Sequence, residues 1–96
     1  MITALVLINT ERKCVNNVAE ALVDIDGVTE VYSVAGKYDL IAMIRVENNE
    51  SMAELVTSEI LEVEGIVNSE TLLAFRVHSN FDLQSLFNLG SEEARN

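Results

Sequence analysis

Hydrophobic and polar positions follow two rhythms along the chain, one of strands and one of helices, and they change from segment to segment. Residues 2–8, Ile2-Thr3-Ala4-Leu5-Val6-Leu7-Ile8, are nearly all apolar or β-prone and predict a strand buried on both faces. The polar connection Asn9-Thr10-Glu11-Arg12-Lys13 comes next. Cys14, Val15, Val18, Ala19, Leu22 and Ile25 then recur at spacings of one, three and four, the stripe of a helix. Asp26-Gly27 ends it, and glycine suits the exit because it accepts backbone angles that side chains resist. Val28 to Val34 predicts a second strand and Asp39 to Val46 a third. The short Ala35-Gly36-Lys37-Tyr38 gap makes them an antiparallel hairpin. Asn49 or Ser51 is the expected cap of a second helix with the stripe Met52, Ala53, Leu55, Val56, Ile60 and Val63. Glu64-Gly65 ends that helix, and Ile66 to Val77 holds a fourth strand, expected from about Ser69.

The second half repeats the first at an offset of 38 residues, since Val23-Asp24-Ile25-Asp26-Gly27-Val28 matches Leu61-Glu62-Val63-Glu64-Gly65-Ile66 in character. Cys14, Val18 and Leu22 fall on Met52, Val56 and Ile60 at the same offset. Two β-α-β halves in series give a ferredoxin-like βαββαβ sandwich of the α+β class, with a four-stranded antiparallel sheet. Right-handed crossovers place both helices on one face. The strands nevertheless carry apolar residues at both parities, Ile41 and Met43 against Leu40, Ala42 and Ile44. A sheet with one wet face normally alternates. The uncovered face is therefore expected to be apolar and to pair with a second copy, sheet to sheet.

Residues 1–78 make one domain, and residues 79–96 form a C-terminal extension. Its Phe81, Leu83, Leu86, Phe87 and Leu89 are too apolar for a frayed end. A short helix or arm is expected there, on its own domain or a neighbour's, with Ser91 to Asn96 disordered.

Charge narrows the partners. The 96 residues carry 16 acids and 6 bases, a net charge of -10. Residues 1–48 hold 7 acids and 4 bases and residues 49–96 hold 9 and 2, so the acidity is spread. Such a field repels phosphate backbones and anionic membranes, which argues against direct nucleic-acid or membrane binding. No apolar run approaches the roughly 20 residues needed to span a bilayer. With a single cysteine and no basic leader, a cytoplasmic location is expected.

Candidate chemistry is sparse. His78 and Cys14 are the lone residues of their types and lie in different elements, so neither a metal site nor an activated thiol is expected. The pairs Asp24/Asp26 and Glu62/Glu64 read as solvated residues beside an apolar contact. No cofactor is implied. The loop Ala35-Gly36-Lys37-Tyr38-Asp39 is better equipped. Gly36 lets the backbone approach a ligand, Lys37 and Asp39 offer opposite charges, and Tyr38 offers a flat face with a hydroxyl. That suits a zwitterion, and it equally suits an ordinary hairpin turn. Ser69 and Thr71 share a parity on the last strand and offer hydroxyls to a ligand carboxylate or to a neighbouring subunit.

Val34-Ala35-Gly36-Lys37-Tyr38-Asp39-Leu40 through Val46, then Val63-Glu64-Gly65-Ile66-Val67-Asn68-Ser69-Glu70-Thr71, resembles the effector-binding (RAM) domain of the Lrp/AsnC family. Its most specific part is the glycine, two residues, then aspartate on entering the third strand. The resemblance covers about residues 2–78 and implies a stand-alone effector domain without the helix-turn-helix DNA-binding module. It also implies transcription regulation of amino-acid metabolism without enzymatic activity. Sheet-to-sheet dimers would assemble into rings, octamers or decamers, with an amino acid bound between dimers. Gly36, Tyr38 and Asp39 would line that site, Asp39 receiving the ammonium, with Ser69 and Thr71 facing the ligand. A related full-length regulator is a further partner that the resemblance implies. The chain departs from the family pattern at Ala35, Ser69 and Glu64. Two other classes of function fit the same fold: a purely structural oligomerisation domain, and a small dimeric ferredoxin-like enzyme.

Overall fold

The computed structural model describes residues 1–78, so the expectations for residues 79–96 lie outside the described residues. Four strands, β1 (Ile2–Thr10), β2 (Val28–Ser33), β3 (Leu40–Val46) and β4 (Ile66–Ala74), form one antiparallel sheet in the order β2-β3-β1-β4. Helix α1 (Val15–Val23) joins β1 to β2. Helix α2 (Asn49–Glu54) runs directly into a π-helical turn over Leu55–Ile60 and joins β3 to β4. This is the ferredoxin-like sandwich that the repeat implied.

Strand parity explains the core. Ala4, Val6 and Ile8 of β1 and Leu40, Ala42 and Ile44 of β3 are fully buried beneath Val18, Leu22, Met52, Leu55 and Ile60. The apolar stripes of the two helical segments thus close one face of the sheet. The residues of opposite parity, Leu5, Leu7, Ile41 and Met43, are only half-buried. The burial on both faces expected for β1 is therefore half met within one chain. Register lines these residues up in two rows across the open face. One row is Glu30, Met43, Leu5 and Leu72, and the other is Tyr32, Ile41, Leu7 and Glu70. The centre of each row is apolar and the acids sit toward the rim.

Several details differ from the expected pattern. The cap of α2 is Asn48, whose Oδ1 accepts the Ser51 backbone N–H at 2.8 Å, and not Asn49 or Ser51. Cys14 precedes α1 as its N-terminal boundary residue and makes no side-chain cap, although it is half-buried against the core. Ala53, placed on the second stripe, is exposed. Ala53 stands nearly opposite the buried Leu55 around the helix, and in the π-turn that follows the hydrogen bonds join residues five apart, so Leu55 and Ile60 both face inward. The Thr57 hydroxyl donates to the Ala53 carbonyl at 2.6 Å at the start of that turn. Finally, β4 begins at Ile66, earlier than Ser69, because the bulge between Asn9 and Thr10 lets Ile66 pair with Thr10.

Candidate functional site

The site proposed from the sequence gathers at one end of the sheet, where the β2–β3 hairpin meets the end of β1. Gly36 adopts φ +129° at the tip, with nothing within 4 Å of where a Cβ would stand. Asp39 is pinned by three hydrogen bonds. Its N–H donates to the Ile8 carbonyl (2.9 Å) and its carbonyl accepts from the Val34 N–H (3.0 Å). Its carboxylate Oδ2 accepts the Thr10 N–H at 2.9 Å. A carboxylate held by a backbone N–H at a strand end is a fixed negative charge. Its second oxygen, Oδ1, has no hydrogen bond among the described residues. Asn9 completes the junction by donating from Nδ2 to the Lys37 carbonyl at 2.9 Å.

Tyr38 does something the sequence did not disclose. Its hydroxyl donates to Glu70 Oε1 at 2.6 Å, reaching from the hairpin over β1 to β4. This bond pushes the Tyr38 phenol above its ordinary pKa, helped by partial burial and by the Glu70 charge. Tyr32 is raised in the same manner, first by donating to Glu30 (2.7 Å), then by burial and by that carboxylate's charge, with Arg45 opposing. Both phenols therefore stay protonated and keep donating.

The sheet divides the candidate residues. Ser69 pairs with Ile8 and Thr71 with Val6, so their side chains share the helix-bearing face. Glu70 pairs with Leu7 on the open face, and Tyr38 joins it there through the hydroxyl. Gly36, Tyr38 and Asp39 share one short loop, whereas Ser69 and Thr71 flank Glu70 from the other side of the sheet.

Two clefts lie elsewhere. One of about 510 Å³ is lined by Gly27, Leu55 and the carboxylates of Asp26, Glu47, Glu50, Glu54 and Glu59, among others. The other, about 440 Å³, is lined by Glu11, Cys14, Asn17, Glu64 and Gly65. Neither includes any of the five candidate residues. Sequence reading missed the larger cleft because its acids come from separate segments brought together by the fold. Among the described residues no group of three or more His, Cys, Asp or Glu side chains is arranged to hold a metal ion. No helix among them is long and apolar enough to cross a membrane.

Known proteins share this geometry. The crystal structure of TTHA0845 from Thermus thermophilus superposes with a TM-score of 0.78 and 45% identity, over 83% of this chain and 100% of that one. The transcriptional regulator FL11 from Pyrococcus furiosus is 30% identical over 77 residues, 80% of this chain and 50% of that protein. An uncharacterized HTH-type regulator from Pyrococcus horikoshii, PH1916, is 36% identical over 58 residues, 60% of this chain and 39% of its own length. The chain thus spans half or less of the length of these two regulators. The sequence model of the Lrp/AsnC ligand binding domain matches residues 3–82, and the chain belongs to that family.

Proposed function

We propose that this chain is a cytoplasmic, non-enzymatic effector-binding and assembly domain that senses an amino acid. The observation that carries the reading is the Asp39 carboxylate, pinned at the hairpin base by the Thr10 N–H with one oxygen left to accept an ammonium. Lys37 and the Gly36 backbone stand beside it for a carboxylate. Ser69 and Thr71 of β4 would complete the site once a neighbouring copy closes it. Two proteins of the same fold, NMB0573 from Neisseria meningitidis and Rv3291c from M. tuberculosis, are known as complexes with L-methionine. At 12% and 19% identity they share the fold with this chain, and their complexes support an amino acid as the class of effector.

Assembly starts at the open sheet face. Leu5, Leu7, Ile41 and Met43 give it an apolar centre, and a second copy placed sheet to sheet would bury them. Dimers would then join into an octamer or decamer ring, with the hairpins at the contacts between dimers. Mixed assembly with a longer, DNA-binding relative would let the chain modulate transcription without touching DNA itself, in keeping with its charge of -10.

The test is a thermal melt of the protein at fixed concentration against the common amino acids and their near relatives. A ligand bound only to the native state at 100 times its Kd adds about 2.7 kcal/mol. The correct effector should raise the melting temperature of the wild type and leave Asp39→Asn unmoved. Asparagine keeps an acceptor for the Thr10 N–H and removes the charge. A flat response across the panel sinks the sensor reading. It would leave a structural oligomerisation domain, a reading favoured by the absence of the five candidate residues from both clefts.

A further inference from the structure

The β2–β3 hairpin is weakly held between its ends. Its backbone bonds close at Val34 and Asp39 and leave residues 35–38 between them. Gly36, at the tip, has nothing within 4 Å of a Cβ position, and Ala35 and Lys37 are exposed. Two side-chain bonds reach the span. Asn9 donates to the Lys37 carbonyl at 2.9 Å, and the Tyr38 hydroxyl donates to Glu70 Oε1 at 2.6 Å. The first stays where the hairpin and β1 already meet. The second passes over β1 to the edge strand β4 and lands on the open face, where Glu70 stands opposite Leu7.

Glu70 is exposed, and the Tyr38 hydroxyl is its one hydrogen-bond donor among the described residues. In a lone chain water competes for both groups, so the net gain from the bond is modest. A second copy laid on Leu7 and Ile41 changes that. Neighbouring strands lie about 4.8 Å apart, and Glu70 is on the strand next to Leu7. Covering Leu7 therefore strips water from the Glu70 carboxylate. A carboxylate that loses water must find a donor, or its burial is costly. Tyr38 is that donor only while the hairpin keeps its place in the fold. A hairpin that swings away leaves the acid unpartnered between the paired faces. The two positions of the hairpin thus differ in how well the faces pair, which is what coupling requires.

We propose that Glu70 is a positioning residue for the hairpin: through the Tyr38 hydroxyl it ties the order of residues 35–39 to pairing of the open sheet faces. This role rests on reading the hairpin as the effector loop and the open face as the contact between copies. Pairing then presets the loop before any effector arrives. By reciprocity, a fixed loop favours pairing by the same factor. A preset loop also loses less freedom when it binds, so the paired chain is the better receptor. Ser69 and Thr71 lie on the helix-bearing face of β4 and stay free for the effector.

A cycle of variants in the full chain, with no amino acid added, tests the link. Tyr38→Phe keeps the ring and removes the donor. Glu70→Gln keeps an acceptor, and Y38F/E70L removes both ends of the bond. Pairing is measured by sedimentation equilibrium over a dilution series, at a urea concentration that leaves the wild type half-paired. Tyr38→Phe should weaken pairing about tenfold, although phenylalanine is the more apolar side chain, because it strands the acid. Glu70→Gln should pair at least as tightly as the wild type, and Y38F/E70L should recover wild-type pairing. The loop is read separately, by amide exchange at Thr10, Val34 and Asp39, whose N–H groups bond at the hairpin base. Their protection should rise with the paired fraction in the wild type and rise less in Y38F/E70L. A Tyr38→Phe chain that pairs like the wild type would overturn the proposal. So would a double variant whose amides gain the same protection on pairing. A flat effector panel leaves both readouts standing, so failure of the sensor reading is told apart from failure of this link. A wild type that stays monomeric even without urea overturns the assembly reading and the link together.

Discussion

The two halves of the repeat end alike and begin differently. Gly27 and Gly65, 38 positions apart, stand directly before β2 and β4 at φ +99° and +100°, a short turn beyond the helical segments that end at Val23 and Ile60. Each is seated on the other half. A Cβ on Gly27 would stand 2.5 Å from Leu55 Cδ1 and 3.1 Å from Val46 Cγ1. On Gly65 it would stand 2.9 Å from both Cys14 Cβ and Val18 Cγ2. The carbonyls cross over in the same sense, Gly27 accepting the Arg45 N–H (2.9 Å) and Gly65 the Glu11 N–H (2.8 Å). The helix starts show no such symmetry. Cys14 offers α1 no capping bond, whereas Asn48 caps α2. Helix α1 stays regular, whereas the second segment passes into a π-turn whose first and last residues, Leu55 over Gly27 and Ile60 in the core, are both buried. What repeats is what the fold must dock, and what varies is how each helix arrives there.

The sharpest way to break this comparison is to load the two glycines. Gly65→Ala should cost about 2–4 kcal/mol, combining left-handed backbone strain with overpacking. Its neighbours are the Cys14 Cβ, fixed to the backbone, and the buried Val18. Gly27→Ala should cost less, because Leu55 Cδ1 is the free end of a flexible side chain. Gly36→Ala, at φ +129° in open space, should show the backbone part alone, about 1–2 kcal/mol. Denaturant melts at one protein concentration measure all three, and the order Gly65, Gly27, Gly36 is the expected result. A larger loss at Gly27 than at Gly65 would show that the second half, and not the first, is the rigid seat.

The unequal helix starts give a smaller effect. Asn48→Ala should lose about 1 kcal/mol with its cap. Cys14→Ala has no capping bond to lose, so any cost it shows is packing, and an Asn48→Ala variant as stable as the wild type would argue against the asymmetry.

The smallest effect is in the titration of the tyrosines. Both phenols are raised by carboxylate acceptors, so absorbance near 295 nm should rise at a pH above the ordinary tyrosine value of about 10. Glu70→Gln should bring the Tyr38 transition back toward that value and leave Tyr32 in place. The sign for stability comes from the raised folded-state pKa. The contribution of the Tyr38–Glu70 bond is present below about 10 and is lost as pH climbs through the folded-state value.

Much of this was legible from residues alone. Parity in Leu40-Ile41-Ala42-Met43-Ile44 announced two apolar faces, whereas the repeated acid-glycine pairs mark the entries to β2 and β4, and the helical segments end earlier than expected, at Val23 and Ile60. The hairpin glycine and Asp39 were visible because glycine and aspartate at that spacing have local reasons to be there. Glu70 was not, since its role depends on Tyr38, 32 positions away, reaching over an intervening strand. The π-turn was hidden for a related reason. Met52, Ala53, Leu55, Val56 and Ile60 satisfy an ordinary helical stripe, and nothing in that spacing marks a change of winding at Leu55. The cap was ambiguous because several polar residues stand in a row and only the backbone geometry selects Asn48.

The strand order β2-β3-β1-β4 has a consequence for how the protein is made. Both ladders of β1 join it to strands made much later, β3 and β4, and only β2 and β3 pair as chain neighbours. No two strands of the first half are neighbours, so residues 1–38 have no sheet to form among themselves. During synthesis the apolar β1 must wait, unpaired, until β3 has been made, and it gains its second neighbour only with β4. Such long-range pairing slows folding and leaves an aggregation-prone segment exposed while the chain grows. The domain therefore becomes stable all at once and late, and a chaperone holding β1 during translation would meet the molecule at its most vulnerable point.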